Sequence, residues 1–507
     1  MSDIVLATLN ARYIHASLGL RYLLANLGEL RTRATLREFT INETNADIAE
    51  RLLAERPQII GLGLYIWNVA QTTEVAALIK LAAPHIIIVL GGPEASHEQE
   101  TLPTAQWADY IITGQGDHAF RELCQSILIG SPPAGKIIQA PPPALDTLKL
   151  PYCEYTDEDV AHRIVYVEAS RGCPFRCEFC LSALDKTAKP FPLDKILEEL
   201  ELLHQRGVRH FKFVDRTFNL NQQIGARILD FFLERLDERL FLHFEVIPDH
   251  LPESLKERLA RFPAGALQLE IGVQSFNTVV QQLINRKQDN DLSETNLHWL
   301  RNNTHAHLHA DLIAGLPGED MASFAAGFDR LVALQPHEIQ VGILKRLRGA
   351  PIARHIEAFQ LRFSPYPPYE IIATDRIGFA DLRRLVRFAR YWDLIGNSGR
   401  FTFTLPLLLG TLPFEHFMHF SDWLHAESQQ THRFALERLF DYIQLGLIKT
   451  LSLPADQVNT ALSADYRHTG LKAVPAWLIQ EPTTIHRPEE SALGSHSRRQ
   501  ARHLAKP

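Results

Sequence analysis

The segment that decides the fold is RGCPFRCEFC, residues 171–180. It gathers three of the chain's five cysteines, Cys173, Cys177 and Cys180, into eight residues. In a reducing compartment such clustering indicates metal binding or catalysis more often than a disulfide. A zinc site usually takes four protein ligands, and no fourth Cys or His lies close by. Three thiolates instead favour a [4Fe–4S] cluster whose fourth iron stays open to a substrate.

The cysteine segment stands near the start of an alternation of strands and helices that runs from Ile164 to about Lys345. Apolar runs predict strands near residues 165–169, 210–214, 242–246, 267–273, 307–313 and 339–343. Six such repeats predict a partial (β/α)6 TIM-like barrel over residues 161–350. The cysteines then follow the first barrel strand, where active-site loops of barrels are found.

Polar and apolar residues alternate along several of these strands. The polar positions are Tyr166, Glu168, Ser170, His243, Glu245, Gln268, Glu270, Gln274, His305, His307, His309 and Asp311. Because the apolar faces must meet the outer helices, the polar faces should line a chamber for a polar ligand. The three histidines leave open a second metal site.

Residues 1–140 form an earlier alternation of strands and helices, which predicts a doubly wound, Rossmann-like parallel sheet. Glycine-containing turns follow three of its strands: Gly61-Leu62-Gly63, Gly91-Gly92-Pro93-Glu94 and Gly114-Gln115-Gly116-Asp117. Glycine at a strand end allows a ligand to approach the backbone closely. The GxGxxG fingerprint of nicotinamide binding is absent.

The remaining segments are assigned by composition. The prolines of residues 131–151 predict a linker, placed at residues 141–160, and residues 351–481 predict a mainly helical carboxyl-terminal domain. Residues 482–507 are rich in His, Arg, Ser and Glu and predict a disordered tail.

The overall composition excludes several function classes. The chain has 507 residues and a formal net charge of -7, which gives no general attraction to nucleic acid or anionic membranes. No run approaches the ~18 apolar residues of a membrane helix. The first residues lack the features of a signal peptide, so we expect a cytoplasmic protein with no membrane partner and no nucleic-acid partner.

The Cys-x3-Cys-x2-Cys spacing, with an aromatic residue before the last Cys, resembles the radical S-adenosylmethionine (SAM) superfamily. The segments GVQSFNTVVQQLINRKQ (272–288) and HADLIAGLPGE (309–319) look like those of the branch that contains oxygen-independent coproporphyrinogen oxidase. The resemblance implies a [4Fe–4S] cluster on the three cysteines and a SAM pocket. Its residues would be Phe179, Asp215, Glu245, Gln274, Arg286 and Asp311.

The amino-terminal turns resemble the cobalamin-binding domain of the B12-dependent radical SAM class. The implied cobalamin contacts are Asn10, Gly63, Gly91, Gly92, Gly114 and Gly116. The lower-ligand pattern Asp-x-His-x-x-Gly is missing. The nearest histidine is His15, which has Tyr13 two residues earlier, so we expect no histidine on the lower face of the corrin.

The resemblance implies an enzyme that reductively cleaves SAM and uses cobalamin for methylation, cyclisation or rearrangement of an unidentified substrate. A reductant such as flavodoxin or ferredoxin would supply the electron. One alternative is a non-catalytic tetrapyrrole carrier or chaperone. Another is an RNA methylthiotransferase, which would need three further cysteines for a second cluster, whereas only Cys124 and Cys153 remain.

Overall fold

The structure, a computed structural model, describes residues 2–479 and 495–504. The chain divides into two units. The first comprises Met1–Arg216, Lys345–Arg354 and Ser364–Glu370, and the second comprises Thr217–Leu344, His355–Phe363 and Ile371–Pro507. In the part of the chain that is described, no helix is both long enough and apolar enough to span a bilayer.

The strands and α-helices are numbered along the chain. The strands are β1 Ile4–Asn10, β2 Ala34–Thr40, β3 Ile59–Gly63, β4 Ile87–Gly91, β5 Tyr110–Gly114, β6 Ile137–Ala140, β7 Val165–Val167, β8 Ser170–Arg171, β9 Lys189–Pro190, β10 His210–Phe213, β11 Phe241–Val246, β12 Leu267–Gln274, β13 His307–Ala314, β14 Glu338–Ile343, β15 Arg362–Phe363 and β16 Ile371–Ala373. The helices are α1 Leu18–Ala25, α2 Asn45–Ala54, α3 Val69–Ala82, α4 Ala119–Leu128, α5 Asp157–His162, α6 Leu193–Gln205, α7 Gln222–Leu233, α8 Glu253–Leu259, α9 Thr278–Leu283, α10 Asn290–Asn303, α11 Met321–Ala333, α12 Phe379–Leu394, α13 Thr404–Leu409, α14 Pro413–Ser428, α15 Leu436–Leu451, α16 Ala455–Arg467 and α17 Ser495–Leu504.

The first sheet has six strands in the order β2-β1-β3-β4-β5-β6, and its pairings are parallel. Strand β1 is buried along its whole length, because side chains on both of its faces enter apolar cores. This confirms the doubly wound α/β sheet. The order reverses beside β1, and in such sheets ligands bind at the carboxyl ends of the strands next to this point.

Strand β6 lies within the proline-rich residues 131–151, whose composition poorly suits a central strand. It ends before the predicted linker of residues 141–160, and Ile137–Ala140 pairs in parallel with β5. Proline cannot donate to a strand ladder and is therefore confined to sheet edges and strand ends. Strand β6 occupies the edge of the sheet, where the flanking prolines leave no ladder bond unmade.

The second sheet has six strands in the order β14-β13-β12-β11-β10-β7. The pairing of β7 with β10 is parallel, and so are the pairings among β11, β12, β13 and β14. The six strands predicted from the apolar runs are all present. This topology confirms the partial (β/α) barrel.

Alternating burial along β12 shows how this sheet separates its two faces. Leu267, Leu269, Ile271 and Val273 are at most 1% exposed. The residues between them, including Gln268, Glu270 and Gln274, are only partly buried. The polar face of β12 therefore keeps access to solvent or to a ligand, while its apolar face is fully covered.

The segment from residue 379 onward is mainly helical, with α12 and α15 among its long helices, as the sequence predicted for the carboxyl-terminal part of the chain. Its packing is aromatic. Phe388 of α12 makes edge-to-face contacts with Phe328 of α11 and with Phe417 of α14, in both cases with ring centroids 5.0 Å apart. Such pairs add specific geometry to the burial of their large apolar area.

Helix α17 contradicts the prediction of a disordered tail over residues 482–507. Residues 482–494 and 505–507 lie outside the described residues, but Ser495–Leu504 is helical. Gln500 donates a hydrogen bond to Gln268 at the start of β12, and the ring of His503 lies 5.2 Å from that of His307 at the start of β13. The polar composition of this helix is typical of a disordered tail. In the structure, however, its polar side chains bond to polar side chains elsewhere in the second unit.

Candidate functional site

The three clustered cysteines lie on a loop between β8 and a 3₁₀ helix at Leu181–Leu184. All three are free thiols; Cys177 is buried, and Cys173 and Cys180 are half-buried. Two backbone hydrogen bonds shape the loop: the N–H of Cys180 donates to the carbonyl of Cys177, and the N–H of Cys173 donates to the carbonyl of Asp185, both at 3.1 Å. The sequence prediction that these thiols share one loop after the first barrel strand agrees with this placement.

At Gly172 the cysteine loop passes very close to Thr187, on the stretch of chain that leads into β9. Gly172 has φ +89°, and a Cβ there would lie 2.0 Å from the carbonyl oxygen of Thr187. No side chain fits in that space, and the left-handed backbone also favours glycine. Strands β8 and β9 pair antiparallel directly beside it, so the cysteine loop has a fixed base.

Both other cysteines affect the pKa of the Cys173 thiol. Burial is the main cause that raises its pKa, and the charges that Cys180 and Cys177 carry as thiolates raise the pKa further. A cluster relieves this repulsion because its irons are positively charged and bind thiolates.

The three histidines of the predicted polar strand face could instead have formed a site for a single metal ion. Within residues 2–479 and 495–504, no three or more His, Cys, Asp or Glu side chains are grouped to hold a single ion. The alternative of a metal site on His305, His307 and His309 therefore has no support in the geometry. His307 instead contacts the Glu338 carboxylate at 3.0 Å.

Asp215 follows β10 and is buried against the strand that leads to the cysteine loop. One carboxylate oxygen accepts from the backbone N–H of Ala169 at 2.9 Å, and the other accepts from the Ser170 hydroxyl at 2.6 Å. Burial raises the pKa of Asp215 to about 6. Through these bonds the carboxylate holds the end of the first barrel strand, and its contact with SAM stays a prediction.

Phe179 is half-buried on the cysteine loop, one residue before Cys180. Its neighbour Glu178 is buried, and the Glu178 carbonyl accepts a hydrogen bond of 2.8 Å from the N–H of Ile352. Arg354 forms an ion pair with the Glu178 carboxylate. The segment Lys345–Arg354 therefore fixes the middle of the cysteine loop, a contact that no sequence pattern indicated.

Three of the SAM residues expected in the second unit meet around Gly272 on β12. Arg286 donates from Nη2 to the Gly272 carbonyl, and Gly272 is paired in register with Asp311 of β13. The Gln274 amide folds back over Gly272 so closely that a Cβ there would lie 2.5 Å from its Nε2. Gln274 has φ +70°, an uncommon backbone conformation for a residue with a side chain.

Glu245 is half-buried on β11 and paired in register with Glu270 of β12. The carboxylate of Glu270 contacts Nε2 of His243 at 2.8 Å. The sequence expectation that β11 and β12 present polar side chains on one face is in agreement with this register. The second unit thus collects a carboxylate, an amide and a guanidinium, which are groups that bind hydroxyls, amines and carboxylates.

The first unit contains a cavity of about 380 Å³ at the carboxyl ends of its strands. This volume falls in the range of small-molecule sites, roughly 300–1,000 Å³. Its lining is mostly apolar and includes a series of glycines: Gly19, Gly61, Gly63, Gly91, Gly92, Gly114 and Gly116. A Cβ at Gly91 would meet no atom nearer than 3.9 Å, so the missing side chain leaves open space there.

Five of the six predicted cobalamin contacts line this cavity, and Asn10 does not. The Asn10 amide instead donates to the carbonyl of His15 and to the Glu38 carboxylate, both at 2.9 Å. The His15 ring bonds to the Tyr166 hydroxyl at 2.7 Å. Both residues shape the loop after β1, and this is consistent with the expectation that His15 is not a corrin ligand.

Sequence reasoning missed the charged residues that connect the cavity to the cysteine loop. Arg171, two residues before Cys173, forms an ion pair with Asp117 at 3.0 Å. Arg348 forms a buried ion pair with Glu94, the last residue of the Gly-Gly-Pro-Glu turn, also at 3.0 Å. Each pair joins residues far apart in sequence, and a local pattern carries no signal of such contacts.

Three family models match successive parts of the chain. The B12 binding domain model matches residues 4–124, and the Radical SAM superfamily model matches residues 167–331. A model described as a protein of unknown function, DUF4080, matches residues 357–505. The matched residues 4–124 include all the glycines that line the cavity, and the matched residues 167–331 include the cysteine loop.

Curated relatives match over part of their length. An uncharacterised methyltransferase of Pyrococcus horikoshii is 28% identical over 223 residues, which cover 39% of this chain and 47% of the relative. The cobalamin-dependent radical SAM methyltransferase TokK of Streptomyces tokunonensis is 25% identical over 361 residues, which cover 62% and 51%. The chain spans about half the length of these relatives.

The solved structure of the cobalamin-dependent S-adenosylmethionine radical enzyme OxsB, with aqua-cobalamin and S-adenosylmethionine bound, has the same fold. The superposition has a TM-score of 0.59 at 14% identity and covers 93% of this chain and 84% of OxsB. At that identity the likeness concerns the fold alone.

Proposed function

We propose that this chain, which carries a B12-binding domain followed by a radical SAM domain, is a cobalamin-dependent radical SAM methyltransferase whose substrate is not identified. The observation that carries the proposal is the set of three free thiols on one loop at the end of the first barrel strand. They suit a [4Fe–4S] cluster with one iron left to SAM. When bound, the cluster, SAM and cobalamin supply the radical and the methyl group.

The cysteine loop would hold three irons through Cys173, Cys177 and Cys180. Gly172 lets the loop pass close to Thr187, and Asp215 holds the preceding strand by its bond to Ala169. Because both ends of the loop are fixed, the ligands have little freedom to move apart. Preorganisation of this kind lowers the entropic cost of assembling a site. Phe179, partly exposed beside Cys180, would pack on the adenine of SAM.

The second unit would bind the polar parts of SAM through Glu245, Gln274, Arg286 and Asp311. Arg286 can take the methionyl carboxylate by paired N–H donors, and Asp311 can accept from ribose hydroxyls. Gln274 offers both a donor and an acceptor to adenine or ribose. Its uncommon backbone conformation supports a binding role, since such conformations cluster at functional sites.

The cavity of the first unit would hold cobalamin against Gly63, Gly91, Gly92, Gly114 and Gly116. These glycines let a ligand lie directly on the backbone, and the apolar lining suits the edges of a large ring and its tail. No histidine is proposed as a lower ligand, because His15 is bonded to Tyr166. The methyltransferase names of both curated relatives favour methylation over cyclisation or rearrangement.

The reaction also requires a one-electron reductant, for which flavodoxin or ferredoxin are the candidates. The alternatives remain as outcomes of the test. A non-catalytic tetrapyrrole carrier would bind cobalamin and leave SAM intact. An RNA methylthiotransferase would need a second cluster, for which the cysteines outside the loop, Cys124 and Cys153, are too few.

The proposal is tested with the full chain, reconstituted anaerobically with iron and sulfide and loaded with hydroxocobalamin. After addition of SAM and a chemical reductant, 5′-deoxyadenosine and S-adenosylhomocysteine are quantified by mass spectrometry. The proposal expects both products. A protein that binds the corrinoid and forms neither product would contradict it and favour a carrier.

Two cysteine variants sharpen this test. Cys173→Ala removes one cluster ligand and should abolish 5′-deoxyadenosine formation and lower the iron content. Cys153→Ala changes an exposed cysteine outside the loop and should leave both at the level of the unaltered chain. Equal behaviour of the two variants would contradict the assignment of the ligands.

A further inference from the structure

Two cavities of the first unit share part of their lining. The first is the glycine-lined cavity described above. The second, of about 250 Å³, lies beside the cysteine loop and includes Gly172 and Ser182. Two residues, Gln115 and Arg171, belong to the lining of both cavities. These two side chains therefore form a wall between the proposed cobalamin site and the base of the cysteine loop.

Arg171 holds this wall in place through its whole guanidinium group. Its Nη1 donates to Asp117 at 3.0 Å and to Gln115 at 3.2 Å, and its Nη2 donates to the other Asp117 oxygen at 3.3 Å. Its Nε donates to Glu168 at 3.0 Å. The guanidinium also lies over the ring of Tyr22, 4.4 Å from its centroid.

The ionisable side chains in this wall are shielded from solvent. The Arg171 side chain is 15% exposed, and the side chains of Asp117 and Glu168 are 7% and 9% exposed. Bidentate pairing of a guanidinium with a carboxylate fixes both distance and orientation. In a buried setting such a pair resists rearrangement, because separation would leave an unpaired charge.

The contact of Arg171 with Asp117 and Gln115 joins the proposed cobalamin site to the cysteine loop. Asp117 and Gln115 are part of the turn after β5, whose Gly114 and Gly116 line the glycine-rich cavity. Arg171 is the last residue of β8 and is followed directly by Gly172 and Cys173. A displacement of the turn relative to Arg171 would change the distance between the bound corrinoid and the cluster.

We propose that Arg171 is a positioning residue that sets the placement of the cobalamin site relative to the cluster loop, and thereby determines how much SAM is used for methyl transfer. The inference rests on the proposed function. Its hydrogen bonds go to Gln115, Asp117 and Glu168 and to no proposed cluster ligand, so it acts through Asp117 and Gln115.

Two uses of SAM compete in such an enzyme, and they give different products. In methyl transfer, the methyl group passes as a cation to the reduced corrinoid, the sulfur keeps the electron pair of the broken bond, and S-adenosylhomocysteine remains. In radical cleavage, one electron from the reductant breaks the bond between sulfur and the 5′ carbon, giving methionine and an adenosyl radical that takes a hydrogen atom. Only the first use depends on the placement of cobalamin.

The test compares product ratios in the reconstituted full chain loaded with hydroxocobalamin. In Arg171→Gln and in Asp117→Asn, the ratio of S-adenosylhomocysteine to 5′-deoxyadenosine should fall roughly 10- to 100-fold, since a misplacement of about 1 Å can cost this much. Arg171→Lys should also lower the ratio, because an ammonium lacks the planar fork whose separate nitrogens reach Asp117, Gln115 and Glu168. Asp117→Asn leaves the cysteine segment unchanged and decides the case if Arg171→Gln does not fold.

Arg31→Gln is the matched control. Arg31 makes a bidentate ion pair with Glu154, at 2.6 to 3.1 Å, which also joins residues 123 positions apart, but it lines neither cavity. It should keep the ratio of the unaltered chain. A structural loss of any buried ion pair would lower both products together and would leave the ratio constant.

A second readout does not depend on turnover. With cobalamin held as cob(II)alamin and the cluster reduced, the cluster should speed the electron-spin relaxation of the corrinoid, an effect that falls steeply with distance. We expect a uniform enhancement in the unaltered chain and in Arg31→Gln, and a weaker or heterogeneous one in Asp117→Asn.

The outcomes separate the inference from the proposed function. If the unaltered chain forms neither SAM product, the proposed function fails and the inference falls with it. If the chain forms both products, and neither the ratio nor the spin relaxation changes in Arg171→Gln and Asp117→Asn, the inference alone is overturned.

Discussion

Arg348 donates from Nε to the Glu94 carboxylate at 3.0 Å, and both side chains are buried, 8% and 4% exposed. The two residues are 254 positions apart. Glu94 ends the Gly-Gly-Pro-Glu turn, and Arg348 belongs to the short segment that follows β14 and reaches the cysteine loop at Glu178. This pair therefore fixes the turn beside the glycine-lined cavity to the part of the first unit that carries the cysteines.

Removal of Arg348 should destabilise the first unit strongly. Arg348→Ala leaves Glu94 buried without its partner, which typically costs about 3–5 kcal/mol. Arg346→Ala serves as the control because Arg346 pairs with Glu98 at a site that is 32% exposed, where a pair is worth roughly 0–1 kcal/mol. Urea unfolding followed by circular dichroism measures both, and equal losses in free energy of unfolding would contradict the role of the buried pair.

Substitution of Gly272 should weaken SAM binding without unfolding the second unit. A Cβ in Gly272→Ala would lie 2.5 Å from Nε2 of Gln274, the mobile end of a side chain, so the Gln274 amide must move while the backbone stays. We expect the Kd for SAM, measured by equilibrium dialysis, to rise about tenfold, or about 1.4 kcal/mol. Gly378→Ala, where no atom lies within 4 Å, is the control and should leave the Kd unchanged. Tight SAM binding in Gly272→Ala would rule out Gln274 as a contact.

The carboxyl group of Glu168 should make the first unit less stable as pH rises. Burial raises the pKa of Glu168 to about 7 from an ordinary value of 4.5, so the folded protein holds a proton that the unfolded chain releases. The stabilising effect of this difference is complete below about pH 4.5 and is lost as pH rises through 7, at about 1.4 kcal/mol per unit of pKa difference. Unfolding free energies of Glu168→Gln and of the unaltered chain, measured from pH 5 to pH 8, should diverge accordingly. Parallel curves would show that Glu168 has an ordinary pKa.

Helix α17 should stabilise the second unit through Arg499. Its Nη2 bonds to Glu338 at 3.0 Å and to Asp393 at 2.8 Å, and its Nε donates to the carbonyl of Asn397. In Arg499→Ala, amide hydrogen exchange of β14 should become faster, because Glu338 begins that strand. Arg390→Ala, which removes a longer and more exposed contact to Asp393, should leave this exchange unchanged. Unchanged protection in Arg499→Ala would show that the helix adds no stability there.

The elements of the fold could be predicted from the sequence because each depends on local pattern. Apolar runs of four to eight residues between turns marked most strands of the two sheets, and β11, β12 and β13 differ from the predicted ranges by only one residue at one end. Glycine pairs after strands located the cavity, since a turn that a ligand approaches needs them at fixed places. The thiol spacing located the cysteine loop.

The parts that sequence could not supply depend on partners distant in the chain. Asn10 lies at the end of a strand, where ligand contacts are expected. Its amide nevertheless donates its hydrogen bonds to Glu38 and to the carbonyl of His15. Asp215 follows a barrel strand but is engaged by Ser170. Strand β6 has prolines on both sides and helix α17 is polar, and neither was predicted, because composition alone does not reveal what an edge strand pairs with or what a polar helix binds. The ion pairs of Arg171 with Asp117 and of Arg348 with Glu94 also join residues that are distant in the sequence.

The most direct test of the account is an electron paramagnetic resonance spectrum of the reduced, anaerobically reconstituted full chain before and after addition of SAM. The account predicts the signal of a single [4Fe–4S] cluster whose shape changes when SAM binds to the iron that Cys173, Cys177 and Cys180 leave open. A cluster signal that SAM does not alter, or the absence of any cluster from the reconstituted protein, would contradict it.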